Sequence, residues 1–256
     1  MPANFSFART FSITVMAGVL ALSLAGCAVN PKDPISSGDE TAVYDPLEPV
    51  NRVTLAFNEI LDKVLFNPIT KVYRTIVPEV GRTAVHNVLD NLKSPVYAAN
   101  ELLQGNVSDA GVVVQRFAIN TLVGVGGIVD MAGKQGITYQ PEDFGQTLAT
   151  WGVGSGPYIV WPILGPSTLR DSVGFVADIA MDPLYWYATN GDHDAINYTR
   201  SGLTILDGKD RTYDLMQDLR RNSGDLYTSL QSVYVQRRKA LVDDLDPTKT
   251  ALPTIE

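Results

Sequence analysis

The stretch DFGQTLATWGVGSGPYIVWPILGPSTLRD, which runs from Asp143 to Asp171, determines how this chain folds. From Phe144 to Leu169 it carries no charge, so on charge alone it could be a transmembrane helix. Its five glycines and three prolines exclude one continuous helix, because glycine weakens and proline interrupts the helical hydrogen bonds. The sequence therefore predicts a segmented apolar element with a flexible middle, from Gly152 to Gly156. Irregular backbone of this kind is tolerated near lipid only beside protein or a water-filled cavity, which indicates a site for an apolar molecule.

The first 26 residues have the features of a secretory signal. Arg9 precedes an apolar core from Phe11 to Leu24, and residues 24–27 read Leu-Ala-Gly-Cys, which resembles the lipobox of bacterial lipoproteins. We therefore predict that residues 1–26 are removed and that Cys27, the one cysteine of the chain, is lipidated. The alternative is an ordinary signal peptide followed by a coincidental cysteine. Ala28, in place of aspartate, favours the outer membrane as the destination.

Charge and length narrow the classes of protein that fit. The chain of 256 residues has a formal net charge of −8, which argues against nucleic acid as a partner, since that requires clustered positive charge. The same balance argues against simple electrostatic docking on anionic lipid headgroups. A chain of this length can bury a core as one or two domains, and a single cysteine excludes an intrachain disulfide.

The pattern after the signal predicts three further segments. Residues 27–44 contain proline, glycine, serine and scattered charge, and we expect a flexible lipidated tether there. Residues 45–242 form the predicted helical domain, and residues 243–256, which begin with acidic residues and contain two prolines, form a predicted disordered tail. We find no alternating β pattern of useful length before Tyr158. The predicted fold class is therefore all-α, as a single domain of short, sharply joined helices.

The start of the helical domain is marked by capping signals and prolines. The segment Asp45-Pro46-Leu47-Glu48 carries three helix-start signals, and we expect Asp45 to cap the first helix. Pro68, Pro78 and Pro95 are expected to end successive short helices. The first helix has one apolar face, formed by Val50, Val53, Phe57, Ile60 and Val64.

The second half of the domain is predicted from the same kinds of signal. Ser167 or Thr168 should cap a helix that extends to Ala180. Two more helices are expected at residues 195–206 and 225–242, where apolar residues recur at helical spacing.

Many separated stretches of the chain resemble the VacJ-like lipoproteins of the Gram-negative outer membrane, also called the MlaA family. The matches run in one order from Asp45 to Arg238 and so cover nearly the whole predicted helical domain. The densest match is the uncharged stretch itself. One departure is Gly224-Asp225-Leu226-Tyr227, which lacks the proline often found after this aspartate in the family. The family-motif positions include Asp45, Pro46, Asn51, Arg52, Phe57, Asn58, Arg116, Asn120, Asp143, Phe144, Gly145, Arg170 and Asp171.

The resemblance implies an α-helical, ring-like protein that encloses an amphipathic channel and lies in the outer membrane on its periplasmic side. It also implies association with a trimeric porin, and transfer of mislocalised phospholipids from the outer leaflet to a soluble periplasmic phospholipid-carrier protein. Such transport maintains the lipid asymmetry of the outer membrane and requires no cofactor. The alternative is a structural lipoprotein that anchors or assembles a porin complex without moving lipid.

The glycine-rich middle of the stretch has two interpretations. It is either a tight connection that requires positive φ angles or a mobile loop that gates a lipid path. Residue types alone leave both open, and the resemblance favours the second. The predicted channel or gating loop consists of Trp151, Gly152, Val153, Gly154, Ser155, Gly156, Pro157 and Tyr158.

Three arginines of the family motif also have two interpretations. Arg52, Arg116 and Arg170 pair with carboxylates at helix joints, or they bind headgroup phosphates, which suit the planar guanidinium. We favour structural pairing for most of them. The expected partners are Asp45, Asp130 and Asp171.

The sequence does not predict an enzyme. Ser155 lies out of frame for a G-x-S-x-G nucleophile elbow, and the segment Gly165-Pro166-Ser167-Thr168-Leu169 lacks the closing glycine. The chain has two histidines, His86 and His193, and no cysteine lies near His193 to complete a metal site. We therefore expect no catalytic residues, no bound metal and no cofactor.

Overall fold

The computed structural model describes residues 43–139 and 141–244. The predicted signal peptide, the lipidation site Cys27, most of the tether and the tail from residue 245 lie outside the described residues. The chain divides into two compact units, Met1–Tyr44 and Asp45–Glu256, and every described helix and strand lies in the second. Helices dominate that unit, beside one two-stranded sheet among its described residues, which confirms the all-α prediction.

The elements follow one another along the chain without large insertions. The two strands pair antiparallel, with Tyr158 opposite Thr168 and Trp161 opposite Gly165. The helix Glu79–Gln104 packs closely against the helix Val107–Leu122, and the helix Phe144–Thr150 packs closely against the helix Leu169–Met181. The order is α1 (Glu48–Leu61), a π-helical turn (Asp62–Phe66), α2 (Asn67–Ile76), α3 (Glu79–Gln104), α4 (Val107–Leu122), α5 (Met131–Lys134), α6 (Phe144–Thr150), β1 (Tyr158–Trp161), β2 (Gly165–Thr168), α7 (Leu169–Met181), α8 (Pro183–Asn190), α9 (Asp194–Asn222) and α10 (Leu226–Val242).

Pro68 does not end the first helical segment, contrary to the sequence prediction. It follows the π-helical turn, in which the N–H of Asn67 bonds to the C=O of Asp62, five residues earlier. This wider turn lets the helical path continue past a residue that has no N–H to donate. Helices α1 and α2 therefore join into one nearly continuous segment.

Other boundaries agree only in part with the prediction. Pro95 lies inside α3, which ends instead at Gly105 in the left-handed conformation (φ +89°), whereas Pro78 does separate α2 from α3. Pro46 lies in the turn before α1, and that helix begins without any side-chain cap. The prediction that Asp45 caps α1 is therefore wrong, because its carboxylate serves other partners, as shown below.

The second half of the domain contains the predicted cap at Thr168, a further cap at Asp225 and a longer helix than expected. Thr168 caps α7, since its hydroxyl accepts the N–H of Asp171 at 3.2 Å. Asp225 caps α10 by accepting the N–H of Tyr227 at 3.1 Å. Helix α9 spans 29 residues and continues through Gly208, so the prediction of a short helix at residues 195–206 is wrong.

Polar side chains occupy much of the buried interior. Asn100 and Thr147 are completely buried, and the hydroxyl of Thr147 donates to Asn100 Oδ1 at 2.9 Å. Gln104 donates to the same hydroxyl at 3.3 Å and to buried Glu142 at 2.7 Å. This network joins α3 to α6, so the interior relies on hydrogen bonds as well as apolar contact.

Candidate functional site

Helix α1 and the π-helical turn that follows it present their apolar face outward. Val53 and Val64 are each 72% exposed, whereas Asn51 and Asp62 are 2% and 6% exposed. A helix of a water-soluble domain does the opposite, since it buries its apolar stripe and exposes its polar one. The predicted apolar face therefore exists but points away from the protein. We call it the outer stripe, and it consists of Val50, Val53, Phe57, Ile60 and Val64.

Asn51, on the inward face of α1, holds the first strand of the hairpin by its backbone. Its Nδ2 donates to the C=O of Tyr158 at 3.0 Å, and its Oδ1 accepts the N–H of Val160 at 2.8 Å. The side-chain amide thus satisfies the free edge of β1 as a neighbouring strand would. This contact gives a physical reason for asparagine at a family-motif position.

Asn58, two helical turns further on, holds the turn of the hairpin in the same way. It donates to the C=O of Trp161 at 2.9 Å and accepts the N–H of Ile163 at 2.8 Å. Ile163 has a φ of +68°, and the N–H of Leu164 bonds to the C=O of Pro162 at 2.8 Å. A positive φ with this i→i+2 bond defines the rare, strained form of the γ-turn. Asn58 therefore fixes a turn that is unfavourable on its own.

One arginine of the last helix, Arg238, joins the two ends of the uncharged stretch. It donates to Asp143 Oδ2 at 2.6 Å and to Asp171 Oδ1 at 2.8 Å. The hydroxyl of Tyr234 donates to the other oxygen of Asp171 at 2.5 Å. Burial acts to raise the pKa of Asp171, but Arg238 and its other neighbours outweigh burial and hold that pKa below its usual range. We call Arg238, Asp143 and Asp171 the clamp.

Helices α6 and α7 approach each other closely beside the clamp. A Cβ on Gly174 would lie 2.4 Å from the backbone nitrogen of Gly145, and a Cβ on Gly145 would lie 2.6 Å from Asp171 Oδ1. Both positions therefore require glycine. The N–H of the neighbouring motif residue, Phe144, donates to Asp178 Oδ1 at 3.1 Å.

The predicted gating loop divides into an exposed part and an anchored part. Residues 151–154 are exposed, whereas Ser155 is buried. The C=O of Ser155 accepts the N–H of Arg170 at 3.1 Å, and the C=O of Pro157 accepts the N–H of Leu169 at 3.1 Å. These bonds tie the second half of the loop to the start of α7.

Two glycines of the loop have the positive φ angles expected of a tight connection. Gly152 has a φ of +84° and Gly156 one of +66°. A Cβ on Gly156 would also approach Leu169 Cβ to 3.2 Å. Backbone geometry therefore accounts for both glycines without any motion.

The aromatic residues at the two ends of the loop have different environments. Trp151 is exposed, although its indole N–H donates to the C=O of Leu103 at 3.0 Å. Tyr158 is buried, with Tyr227 and Tyr234 of α10 packed edge-on against its ring. The loop thus leads from an exposed apolar surface to the interior beside α10.

Two of the motif arginines make the predicted structural pairs. Arg116 bonds to Asp130 at 3.0 Å, and Asn120 donates to the same carboxylate at 3.0 Å. Arg170 bonds to Asp171 at 3.2 Å, at the edge of the clamp. Their charges are therefore engaged within the protein.

Arg52 pairs with different carboxylates from the one predicted. It bonds to Glu48 at 2.8 Å and to Asp225 at 2.9 Å, not to Asp45. Asp45 instead accepts from the side-chain amide of Gln231 at 2.8 Å. Helix α10 packs against the start of α1 and supplies partners that are remote in sequence, which explains the difference.

A charged interface that the sequence analysis missed joins α9 to the segment α1–α3. Arg220 bonds to Glu59 at 2.8 Å and to Asp62 at 2.7 Å, and Lys209 reaches Asp62 at 2.5 Å. Asp62 is buried and therefore has two basic partners, Lys209 and Arg220, within the protein. We call this interface the seam, and it also contains Arg74, Arg82, His86, Asp207, Asp210 and Asp214.

The rest of the seam follows the same pattern. Asp210 accepts from Arg82 at 2.6 Å and lies 3.3 Å from Arg74, which also bonds to Asp214 at 2.8 Å. His86 lies 2.9 Å from an oxygen of Asp207. The sequence pattern that could have predicted the seam is the recurrence of acidic residues every three or four positions along α9. It was missed because this helix was predicted to end at residue 206.

Residues 43–139 and 141–244 contain neither a membrane-spanning helix nor a metal-binding cluster. No helix in that part is both long and apolar enough to span a membrane. The same residues contain no cluster of three or more His, Cys, Asp or Glu side chains that could bind a metal ion. The hydroxyl of Ser155 donates to the C=O of Gly156 at 3.5 Å.

Comparisons with known proteins identify the family. The family model described as MlaA lipoprotein matches residues 43–241. The intermembrane phospholipid transport system lipoprotein MlaA of Escherichia coli (strain K12) is 35% identical over 222 residues, covering 84% of this chain and 82% of that protein. The protein of the same name from Haemophilus influenzae is 31% identical over 246 residues, covering 94% and 95% respectively.

A solved structure supports the same assignment. It is described as the structural basis for maintenance of bacterial outer membrane lipid asymmetry, and it matches this chain with a TM-score of 0.68 at 32% identity. The match covers 77% of this chain and 98% of the other. With the family model spanning nearly all described residues, the chain belongs to the MlaA lipoprotein family.

Proposed function

We propose that this protein removes mislocalised phospholipids from the outer leaflet of the outer membrane and passes them through an amphipathic channel to a soluble periplasmic carrier. This retrograde transport keeps the outer membrane asymmetric. The observation that carries the proposal is the inverted amphipathicity of α1, which is apolar outside and polar inside. Family membership supports it, because the E. coli and H. influenzae relatives are named as lipoproteins of an intermembrane phospholipid transport system.

The outer stripe supports a position within lipid. Transfer of apolar surface from water to hydrocarbon is favourable by about 25 cal/mol per Å². Exposed apolar side chains continue beyond α1, at Val72 and Ile76 of α2 and at Leu122 and Val123 at the end of α4. We therefore place these surfaces among acyl chains on the periplasmic side of the outer membrane, with a lipidated Cys27 as the additional anchor.

The seam supports a polar path for the lipid headgroup. A charged headgroup that crosses hydrocarbon without polar partners meets a large free-energy barrier. The side chains of Arg74 and His86 are 28% and 33% exposed although both are paired. Partly exposed ion pairs can exchange partners with a phosphate. We assign the polar wall of the channel to the seam and the apolar wall to surfaces continuous with the outer stripe.

The gate of the channel is the exposed half of the predicted loop. The N–H groups of residues 151–153 bond to the end of α6, and Ser155 and Pro157 are tied to α7. We therefore place the movement at Gly154, which lies between these two anchored parts and next to the exposed side chain of Val153. Gly154→Ala reduces backbone freedom there and is expected to slow transport several-fold without lowering protein abundance. Gly208→Ala is the matched control, because a Cβ at Gly208 meets no atom within 4 Å. If both variants transported lipid equally well, the loop would be a simple connection and not a gate.

The decisive experiment uses a strain that lacks the gene, complemented with variants. Surface-exposed phospholipid and detergent sensitivity are measured. Val53→Asp places a charge on the outer stripe and is expected to fail to restore asymmetry, whereas Ser201→Asp, at an exposed position of α9, restores it. Full complementation by Val53→Asp would contradict the lipid position of α1.

The same strain separates transport from a structural anchor. A trimeric porin and the periplasmic carrier are the proposed partners, and both should co-purify with the wild-type protein. If deletion disrupts porin complexes while surface phospholipid stays at the wild-type level, the protein anchors a complex and moves no lipid.

No enzymatic step is part of the proposal. Ser155→Ala and Ser167→Ala are expected to restore lipid asymmetry fully in the deletion strain. A variant that is present at normal abundance but inactive would instead indicate a lipid hydrolase.

A further inference from the structure

Two β-branched residues among those described have left-handed backbone conformations. Val125 has a φ of +57° and Ile163 one of +68°. Asp192, with a φ of +55°, is an ordinary occupant of this region, because aspartate tolerates it. Valine and isoleucine do not, and glycine would adopt the same backbone without strain. Such residues persist only where their surroundings fix the backbone.

The surroundings fix both turns. Asn58 accepts the N–H of Ile163 at 2.8 Å, as described above. The turn around Val125 is held by bonds from the N–H of Gly126 to the C=O of Thr121 at 3.0 Å and from the N–H of Gly127 to Asn120 at 2.9 Å. The Asn58 side chain therefore holds the Ile163 turn and backbone hydrogen bonds hold the Val125 turn, and none of these bonds needs the β-branched side chain.

The two side chains contribute little to the packing of the protein itself. Val125 is 69% exposed and Ile163 is 42% exposed. Each is surrounded in sequence by other exposed apolar residues, and neither turn carries a charge. These neighbours are Leu122, Val123 and Ile128 at the first turn, and Trp161 and Leu164 at the second.

We propose that Val125 and Ile163 are lipid-contact residues that insert their side chains among the acyl chains of membrane phospholipids. This inference rests on the proposed position of the outer stripe in lipid. Asn58, which holds the Ile163 turn, belongs to the same helix as the outer stripe, so the turn is fixed to the element that we place in lipid. Uncharged apolar turns suit hydrocarbon, and an apolar contact there outweighs the backbone strain that glycine would avoid.

The test measures contact with acyl chains directly. The full-length lipidated protein, with Trp151→Phe and Trp186→Phe, retains Trp161 as its one tryptophan, beside Ile163. It is reconstituted into vesicles of phosphatidylethanolamine and phosphatidylglycerol whose acyl chains are brominated, which quench tryptophan on contact. Ile163→Gly and Ile163→Asn are compared with Asp192→Gly, which relieves a left-handed residue without removing an apolar side chain.

We expect both Ile163 variants to lower the quenching of Trp161 about two-fold, since the turn loses its apolar side chain. Asp192→Gly should leave quenching unchanged. The thermal midpoint of Ile163→Gly and Ile163→Asn should not fall below that of the parent, because strain is relieved. For the other turn, Leu122→Trp in a chain with all three tryptophans replaced by phenylalanine reports on Val125→Gly in the same way.

Three results would overturn the inference. They are unchanged quenching in the Ile163 variants, a fall in their thermal midpoint, and absence of quenching in the parent protein. If quenching appears only after a co-purified protein is removed, that protein and not lipid covers the turns, which also contradicts the inference. Failure of the proposed transport function would show separately, as normal surface phospholipid in the deletion strain.

Discussion

The clamp and the seam are both built from ion pairs that include buried side chains, but the clamp centres on one guanidinium, whereas several basic side chains and carboxylates of the seam each have two partners. At the clamp one guanidinium, that of Arg238, bonds to Asp143 and Asp171, which are 95 and 67 residues away. Along the seam the carboxylates share their partners, and Asp62 and Asp210 each lie within ion-pair distance of two basic side chains. We therefore call Arg238 the hub of the clamp, and we call each ion pair along the seam a rung.

The difference follows from the sequences that each structure has to hold. Residues 144–169, between the clamp aspartates, carry no charge, so their position depends on charged residues outside that run. Helix α9 carries acids and bases along its length and can pair with its neighbours at many points. Loss of the hub leaves two carboxylates with fewer partners, whereas loss of one rung leaves its neighbours paired. This contrast predicts the order in which substitutions destabilise the protein.

Arg238→Gln should cause the largest loss of stability. Removal of one partner from a buried charge pair costs about 3 kcal/mol or more, and here two carboxylates lose the same partner. Unfolding by urea in detergent, followed by circular dichroism, measures the change. Arg237→Gln is the matched control, because Arg237 is the adjacent arginine and is exposed. Hydrogen exchange should accelerate in α6 and α7 of Arg238→Gln alone. If Arg238→Gln and Arg237→Gln lowered stability equally, the proposed role of Arg238 as the hub would be contradicted.

Asp62→Asn should have a smaller effect, although Asp62 is equally buried. Arg220 keeps its bond to Glu59, and asparagine still offers an acceptor to Lys209. We expect a loss of about 1–2 kcal/mol in the free energy of unfolding. Asp218→Asn, at an exposed position of the same interface helix, serves as the control. If Asp62→Asn destabilised the protein as much as Arg238→Gln, the seam would not be redundant.

The sequence predicted the residues of the outer stripe but not its direction. Hydrophobic periodicity identifies an apolar face of a helix and does not say whether protein or lipid covers it. The clamp could not be predicted from the sequence, for a different reason. Asp143 and Asp171 stand out as the charged ends of the stretch, but nothing local connects them to an arginine on the last helix. Pairs this remote in sequence require the packed structure.

Local signals were reliable where local chemistry decides the outcome. The Thr168 cap depends on residues within one turn, and it was predicted. Pro68 and Pro95 were not predicted as helix-interior residues, because a π-helical turn and tertiary packing override the usual effect of proline. The hairpin was missed because its strands are only four residues long and their edge partner is the asparagine pair of α1.

Glu142, which precedes the clamp residue Asp143, should make stability depend on pH. Burial raises the pKa of Glu142 to about 8; the hydrogen bond from Gln104 opposes this shift, and Glu101, Asp244 and Asp143 reinforce it. The folded protein therefore holds this proton more tightly than the unfolded chain, whose glutamate titrates near 4.5. The contribution to stability is complete below about pH 4.5 and is lost as pH rises to about 8.

Glu142→Gln should flatten this part of the pH profile, because the amide keeps the hydrogen-bonding shape without a titrating proton. The measurement is the thermal midpoint of the variant and of the parent, taken between about pH 5 and pH 9 in steps of roughly one pH unit. The variant should gain stability relative to the parent at the alkaline end. Glu79→Gln, at an exposed position at the start of α3, should keep the parental slope. A profile for Glu142→Gln that still falls with pH would assign the dependence to other groups.

Arg52→Gln should have the smallest effect, although Arg52 copies the geometry of the hub. It joins two carboxylates, Glu48 and Asp225, at 2.8 and 2.9 Å, but all three side chains are exposed. Its bond to Asp225, with a further one from Thr228, holds the pKa of Asp225 below the usual range. Water and salt screen such pairs, so the thermal midpoint of Arg52→Gln should lie close to that of the parent and become equal to it at ~0.5 M salt. Arg238→Gln should keep most of its deficit at the same salt concentration, because the side chains of Arg238 and Asp171 are only 14% and 9% exposed. If Arg52→Gln instead matched Arg238→Gln at high salt, the arrangement of charges rather than their burial would be what gives the clamp its strength.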